Sequence, residues 1–134
     1  MPAGERVVVD SSVFAAILLR EPGHAALTSR LTALRSVRTA PFFRFEVANA
    51  IWKQKHWSDA DAAVAIDVLF TLPVDEDFDA ADARAAMDLA REHNHPFYDA
   101  AFIALARRHD QPLWTLDRRQ AALAAACGVP AATN

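Results

Sequence analysis

One cysteine, Cys127, stands among 134 residues. No disulfide can close within the chain, and a reducing cytoplasm is the expected home. Cys127 itself is expected to pack in the last helix. No uninterrupted apolar run approaches the ~20 residues that a membrane-spanning helix needs. The opening MPAGERVVVD has no basic region followed by a long apolar core, so a secretory signal is not expected. Positive charge is scarce as well. Lys and Arg number 14 against 17 Asp and Glu, a formal net charge of −3. That balance argues against a protein that holds nucleic acid on a broad basic surface. It leaves room for a small acidic site that meets phosphate through metal ions. Lysine occurs only at Lys53 and Lys55. The chain shows no repeat, linker or low-complexity segment, and its length suits a single domain over residues 1–134.

What is present is apolar and rich in alanine. Hydrophobic residues make up 53%, enough for a packed globular core, and alanine favours helix. RVVVD reads as a short buried strand of a parallel sheet. SVFAAILLREPG reads as a helix capped by Ser11 or Ser12 and stopped at Pro22-Gly23. HAALTSRLTALRS carries Ala26, Leu27, Leu31 and Leu34 near helical spacing, and SVRTAP is a second strand. Phe43, Val47, Ala50 and Ile51 make one stripe of a helix over 42–56. Ser58-Asp59 starts another helix, and LPVDE is a third strand. DFDAADARAAMDLAREHN and YDAAFIALARRHD are helices, QPLWTLD a fourth strand, and RRQAALAAACG a helix closed by Gly128. VPAATN is a candidate edge strand. Short strands alternating with helices predict a parallel sheet covered by helices on both faces.

In such sheets ligands bind beyond the carboxyl ends of the strands. Asp10 ends the first strand and Asp117 the fourth. Asp99 opens a helix, and Glu46 lies in the first turns of the helix after the second strand. Taken singly, Asp10, Asp99 and Asp117 read more readily as helix caps and Glu46 as a solvated helix residue. Their contexts favour more. Asp10 follows VVV, and Asp99 precedes AAFIALA, a helix apolar on more than one face. Buried carboxylates that face one another repel and rise in pKa unless a cation lies between them. All-oxygen ligands suit Mg²⁺ or Mn²⁺.

In this order and spacing VVVDSSVF, FFRFEVANAIWK, YDAAFIALA and TLDRR resemble a PIN domain, with the VapC-type toxins of bacterial toxin–antitoxin pairs as the nearest match. The resemblance spans essentially the whole chain. It implies a three-layer α/β/α sandwich around a mostly parallel sheet. It also implies a metal-dependent endoribonuclease whose acids, here Asp10, Glu46, Asp99 and Asp117, line the metal site. Ser12, Thr115 and Asn49 match small polar positions that support that site. A homodimer and a small antitoxin that blocks the site are implied too. The ions would acidify a water that attacks the phosphodiester, so no Ser or His nucleophile is required. Arg118 and Arg119 follow Asp117 directly and are candidates for contact with RNA phosphates.

Other signals rank lower. HNH at 93–95 precedes Pro96 and reads as a loop. VDEDFDAAD reads as a solvated turn, with Asp77 or Asp79 as candidates for the rim of the site. Trp52, Trp57, Phe42, Phe43 and Phe45 suit core or subunit contact better than base stacking. Three alternatives stand beside the nuclease. A dehalogenase-type phosphatase wants a second Asp where Ser12 stands. A phospho-receiver wants a Lys after its last strand, and none follows Lys55. A catalytically silent PIN-like module would not need all four acids.

Overall fold

Val7, Val8 and Val9 are wholly excluded from water. A strand turns successive side chains to opposite faces, so three consecutive buried residues require cover on both sides. The computed structural model describes residues 4–132, and the chain supplies that cover with helices. The elements run β1 (Arg6–Val9), α1 (Ser11–Leu18), α2 (His24–Ala33), β2 (Ser36–Thr39), α3 (Phe43–Trp52), α4 (Asp59–Phe70), β3 (Asp75–Glu76), α5 (Ala80–His93), α6 (Phe97–His109), β4 (Leu113–Trp114) and α7 (Arg118–Ala126).

The strands lie in the order β3-β2-β1-β4, and every pairing among the described residues is parallel. From β1 the chain moves to β2 and β3 in one direction, then returns across the sheet to β4 on the other side of β1. Right-handed crossovers place α1 to α4 on one face and α5 and α6 on the other. This is the expected three-layer α/β/α arrangement. Ala100 to Ala106 in α6 are all buried, as befits a helix enclosed on every side. On the opposite face Phe14 packs against Phe43 with ring centroids 4.6 Å apart.

Several boundaries differ from expectation. The cap of α1 is Asp10 rather than Ser11 or Ser12: its backbone is extended and its carboxylate accepts the Ser12 amide at 3.0 Å. Helix α3 stops at Trp52, short of His56, because Ser58 and Asp61 form a reciprocal capping box that claims the start of α4. The chain must therefore turn between the two. The third and fourth strands shrink to two residues each. The expected last strand is reduced to one bridge between Leu113 and Ala131, and its final two residues lie outside the described ones. Among the described residues no helix is long and apolar enough to cross a membrane.

Asp77 and Asp79 belong to the scaffold rather than to the rim of the acidic site. Asp79 caps α5. Asp77 bonds Arg38 at 2.6 Å, Arg108 at 2.5 Å and His109 at 2.9 Å, and these partners, with burial opposing them, hold its carboxyl down at about 2. Arg108 also forks onto buried Asp82 at 2.6 and 2.9 Å. This network ties the start of α5 to the end of α6, about 13 Å along that helix from Asp99. Arg108→Ala would leave Asp82 buried without its counter-ion. Urea unfolding should register a loss of about 2–3 kcal/mol, where a solvated surface pair would cost under about 1 kcal/mol.

Candidate metal centre at the strand ends

The chain leaves β1 for β2 on one side and returns to β4 on the other, so the gap between β1 and β4 is the point where strand order reverses. Open parallel sheets bind ligands at this place, beyond the carboxyl ends. Asp10 emerges there at the end of β1, and Thr115 to Asp117 emerge beside it from β4. Glu46 reaches the same region from the first turn of α3, and Asp99 from the first turn of α6.

Hydrogen bonds stitch these junctions together. The Ser12 hydroxyl donates to Asp10 Oδ1 and accepts the Leu116 amide at 2.9 Å, which joins the β1–α1 turn to the β4–α7 turn. Thr115 Oγ1 lies 3.4 Å from the Ser12 hydroxyl and accepts the Asp117 amide at 3.1 Å. Asp117 Oδ1 in turn caps α7, accepting from Arg119 at 2.9 Å and Gln120 at 3.3 Å. Ser11 donates to Glu46 Oε1 at 2.6 Å. Both Asp10 and Asp117 therefore cap a helix with Oδ1 and keep Oδ2 outside the cap bonds.

The electrostatics are those of crowded acids. Asp10 is 5% exposed, and burial raises its pKa to about 6 despite the Ser12 and Thr115 hydroxyls; Asp99 adds to the rise. Glu46 is raised by burial, with Asp99 and Asp10 contributing and Ser11 opposing. Asp99 is raised by burial and by Asp117, while His95 and Arg119 pull the other way. Three carboxylates thus sense one another, and Asp117 acts on Asp99. Among the described residues no three His, Cys, Asp or Glu side chains form a ready-made metal cage. The donor set still fits a hard divalent cation, which is commonly held by one or two carboxylates, water and substrate phosphate.

The remaining predicted residues divide. Ser12 and Thr115 sit inside the hydrogen-bonded group. Asn49 lies exposed on α3 one turn past Glu46. Arg118 and Arg119 are exposed at the start of α7, with Arg119 reaching the Asn94 carbonyl at 3.3 Å. Two residues near the acids escaped sequence reasoning. Buried His95 places Nε2 2.9 Å from Gln120 Oε1 and 3.8 Å from Asp99 Oδ2. From sequence the HNH segment reads as a loop only. The spacing of His95 four residues before Asp99 was the signal available, and nothing in the sequence pairs it with Gln120. The Ser11–Glu46 bond was also unforeseen.

A family model described as PIN domain matches residues 7–126. Ribonuclease VapC3 of Pyrobaculum aerophilum is 29% identical over 121 residues, covering 87% of this chain and 92% of that protein. The crystal structure of Mycobacterium tuberculosis VapC20, described as a sarcin–ricin loop cleaving toxin, aligns with a TM-score of 0.74 at 18% identity, covering 96% of this chain and 99% of that one. FitAcB from Neisseria gonorrhoeae aligns at 0.67 with 16% identity, over 95% and 96%.

The raised Asp10 sets a test by pH. Its carboxyl titrates about two units above an ordinary Asp, so the folded state favours the protonated form. The resulting penalty is absent below about pH 4, grows through pH 6 and is complete above it. Asp10→Asn keeps the cap but not the charge. Without divalent ions the variant should gain about 1–3 kcal/mol at pH 7 and nothing at pH 4, measured by urea unfolding at both values. A variant less stable at pH 7 would mark the acid as a cap and nothing more.

Proposed function

The chain belongs to the PIN domain family, and on that premise we propose that it is a metal-dependent endoribonuclease, the toxin of a toxin–antitoxin pair. The observation that carries this reading is the meeting of Asp10, Glu46 and Asp99, with Asp117 beside Asp99, at the reversal point of the sheet. The names of the relatives, a ribonuclease and a sarcin–ricin loop cleaving toxin, support the same class.

Asp10, Glu46, Asp99 and Asp117 would hold the ion, and their oxygen donors suit Mg²⁺ or Mn²⁺. When bound, such an ion supplies Lewis acidity, making water more acidic and offsetting charge on a phosphate. The chain's own residues set the stage. Ser12 holds Asp10 Oδ1, and Ser11 holds Glu46 Oε1, which fixes both carboxylates and leaves the second oxygen of each outside those bonds. The Ser12 hydroxyl donates to Asp10 and accepts from Leu116, so it supports the site. Arg118 and Arg119, exposed beside Asp117, would bind RNA backbone phosphates. A phosphatase or receiver reading has no such support, since Ser12 occupies the place of the second acid and no Lys follows Lys55.

A homodimer and a protein antitoxin complete the proposal. Phe45, Trp52 and Phe70 are 70%, 66% and 50% exposed. The rings of Phe45 and Phe70 lie 6.4 Å apart, making an apolar surface on α3 and α4 suited to another chain. One cysteine and an RNA substrate suit the cytoplasm.

Purified protein incubated with total RNA should cleave it with Mn²⁺ or Mg²⁺ and stop in excess EDTA. Cleavage undiminished by EDTA would overturn the metal reading. Asp99→Asn should lose cleavage by about 10²-fold or more with its fold intact by circular dichroism. Light scattering should give the mass of two chains. Cleavage should also fall when the antitoxin encoded beside the gene is added, through a basic side chain entering the acidic pocket. A complex as active as the free protein would refute the blocking role.

A further inference from the structure

One residue touches both α6 and α7 at the acids. Gln120 is fully buried. Its backbone amide donates to Asp117 Oδ1 at 3.3 Å, and its side-chain Nε2 donates to the Asp99 carbonyl at 2.7 Å. The carbonyl can only accept, so the amide orientation is determined: Oε1 must face His95. That oxygen can only accept in turn, so His95 Nε2 carries the proton and donates across 2.9 Å. His95 is itself buried, at the turn between α5 and α6. The chain of bonds runs His95 to Gln120 to Asp99, with Asp117 on the Gln120 backbone.

We propose that Gln120 and His95 are positioning residues for the acidic site, the buried Gln120 amide locking the start of α6 to the start of α7 and so setting the separation of Asp99 and Asp117. The inference rests on the metal-dependent reading given above and deepens it. A buried amide in an apolar layer is costly unless its partners are fixed. Here those partners are the Asp99 carbonyl and the His95 ring, while the Gln120 backbone N–H is held by the Asp117 carboxylate. Glu46 and Asp10 are steadied by Ser11 and Ser12. Asp99 has no such hydroxyl among its hydrogen bonds, and the Gln120–His95 pair serves its helix instead. Ligand carboxylates depend on such outer partners for their placement, and loss of one weakens metal binding about tenfold to a hundredfold.

The test is thermal unfolding of the full chain across a Mn²⁺ titration. Gln120→Met removes the amide at similar size. His95→Leu removes the N–H, and His95→Gln restores a donor near the position of Nε2. Leu89→Ala, a cavity in the core on α5, serves as a control for lost stability. Gln120→Met and His95→Leu should raise the Mn²⁺ concentration for half-maximal stabilisation about tenfold or more, while His95→Gln and Leu89→Ala leave it at the parent value. Their loss in RNA cleavage at saturating Mn²⁺ should fall on kcat rather than KM. If both variants merely lower Tm as Leu89→Ala does, with the Mn²⁺ midpoint unmoved, the pair is structural and the proposal is wrong. Should Gln120→Met fail to fold, the contrast between His95→Leu and His95→Gln decides alone, and equal midpoints in those two overturn it. A parent with no Mn²⁺ response would remove the metal reading itself, and this inference with it.

Discussion

The desolvation of Asp10 is the constraint to which the rest of the site answers. Three valines shut off from water carry the chain to this carboxylate, and helices on both faces of the sheet keep bulk water from it. Two hydroxyls and the Ser12 amide offset part of the cost, yet the carboxyl still titrates near 6. Above that value the charge sits in a place where it is poorly solvated and where Asp99 adds to the cost. A cation in that region is favoured by the same terms that make the bare carboxylates unfavourable. The proposed affinity of the site for a divalent ion would thus follow from the enclosure of β1.

Capping and the proposed ligation would be two uses of one side chain. A helix N-terminus presents unsatisfied amides and a partial positive charge. Asp10 and Asp117 each satisfy those amides with Oδ1. The amides reduce the repulsion among the acids, and the cap bonds orient the carboxylate so that Oδ2 is left outside them. Ser12 and Thr115 link the two capped turns across the reversal point. The hydroxyls therefore act mainly as spacers between acids, and an apolar residue at either place would unfasten β1 from β4 at the carboxyl end.

Much of this was legible because burial leaves a mark on sequence. VVV before Asp10 and AAFIALA after Asp99 cannot be solvated, so acids beside them had to be explained. The alternation of strands and helices was readable from the same runs, and the ordered set of acidic motifs placed the family. What stayed hidden depends on chain reversals. His95 meets Gln120 only because the α5–α6 turn and the start of α7 arrive side by side, and no local pattern encodes that meeting. Asp77 lies in an acidic run that suits a solvated loop, yet Arg38, Arg108 and His109 converge on it from β2 and the end of α6. Two-residue strands such as β3 and β4 are too short for periodicity to delimit. Residue type could not choose Asp10 over the serines as cap, since Asp and Ser both cap well; the extended backbone at Asp10 marks it.

The distribution of charge bears on how an acidic chain meets RNA. Arg38, Arg44 and Arg108 are spent on the scaffold, bonded to Asp77, Glu76 and Asp82. Arg118 and Arg119 stand exposed at the start of α7, one and two residues past an acid of the site. Phosphate approaching the reversal point of the sheet thus meets two guanidiniums at the edge and carboxylates at the centre. On the proposed reading two guanidiniums would be opposed by the carboxylates, most by buried Asp10 and least by exposed Asp117, whose charge solvent screens. Cations held by the acids would offset that repulsion. On the proposed reading the ion would serve both binding and cleavage, with α6 and α7 holding two of its ligands in place.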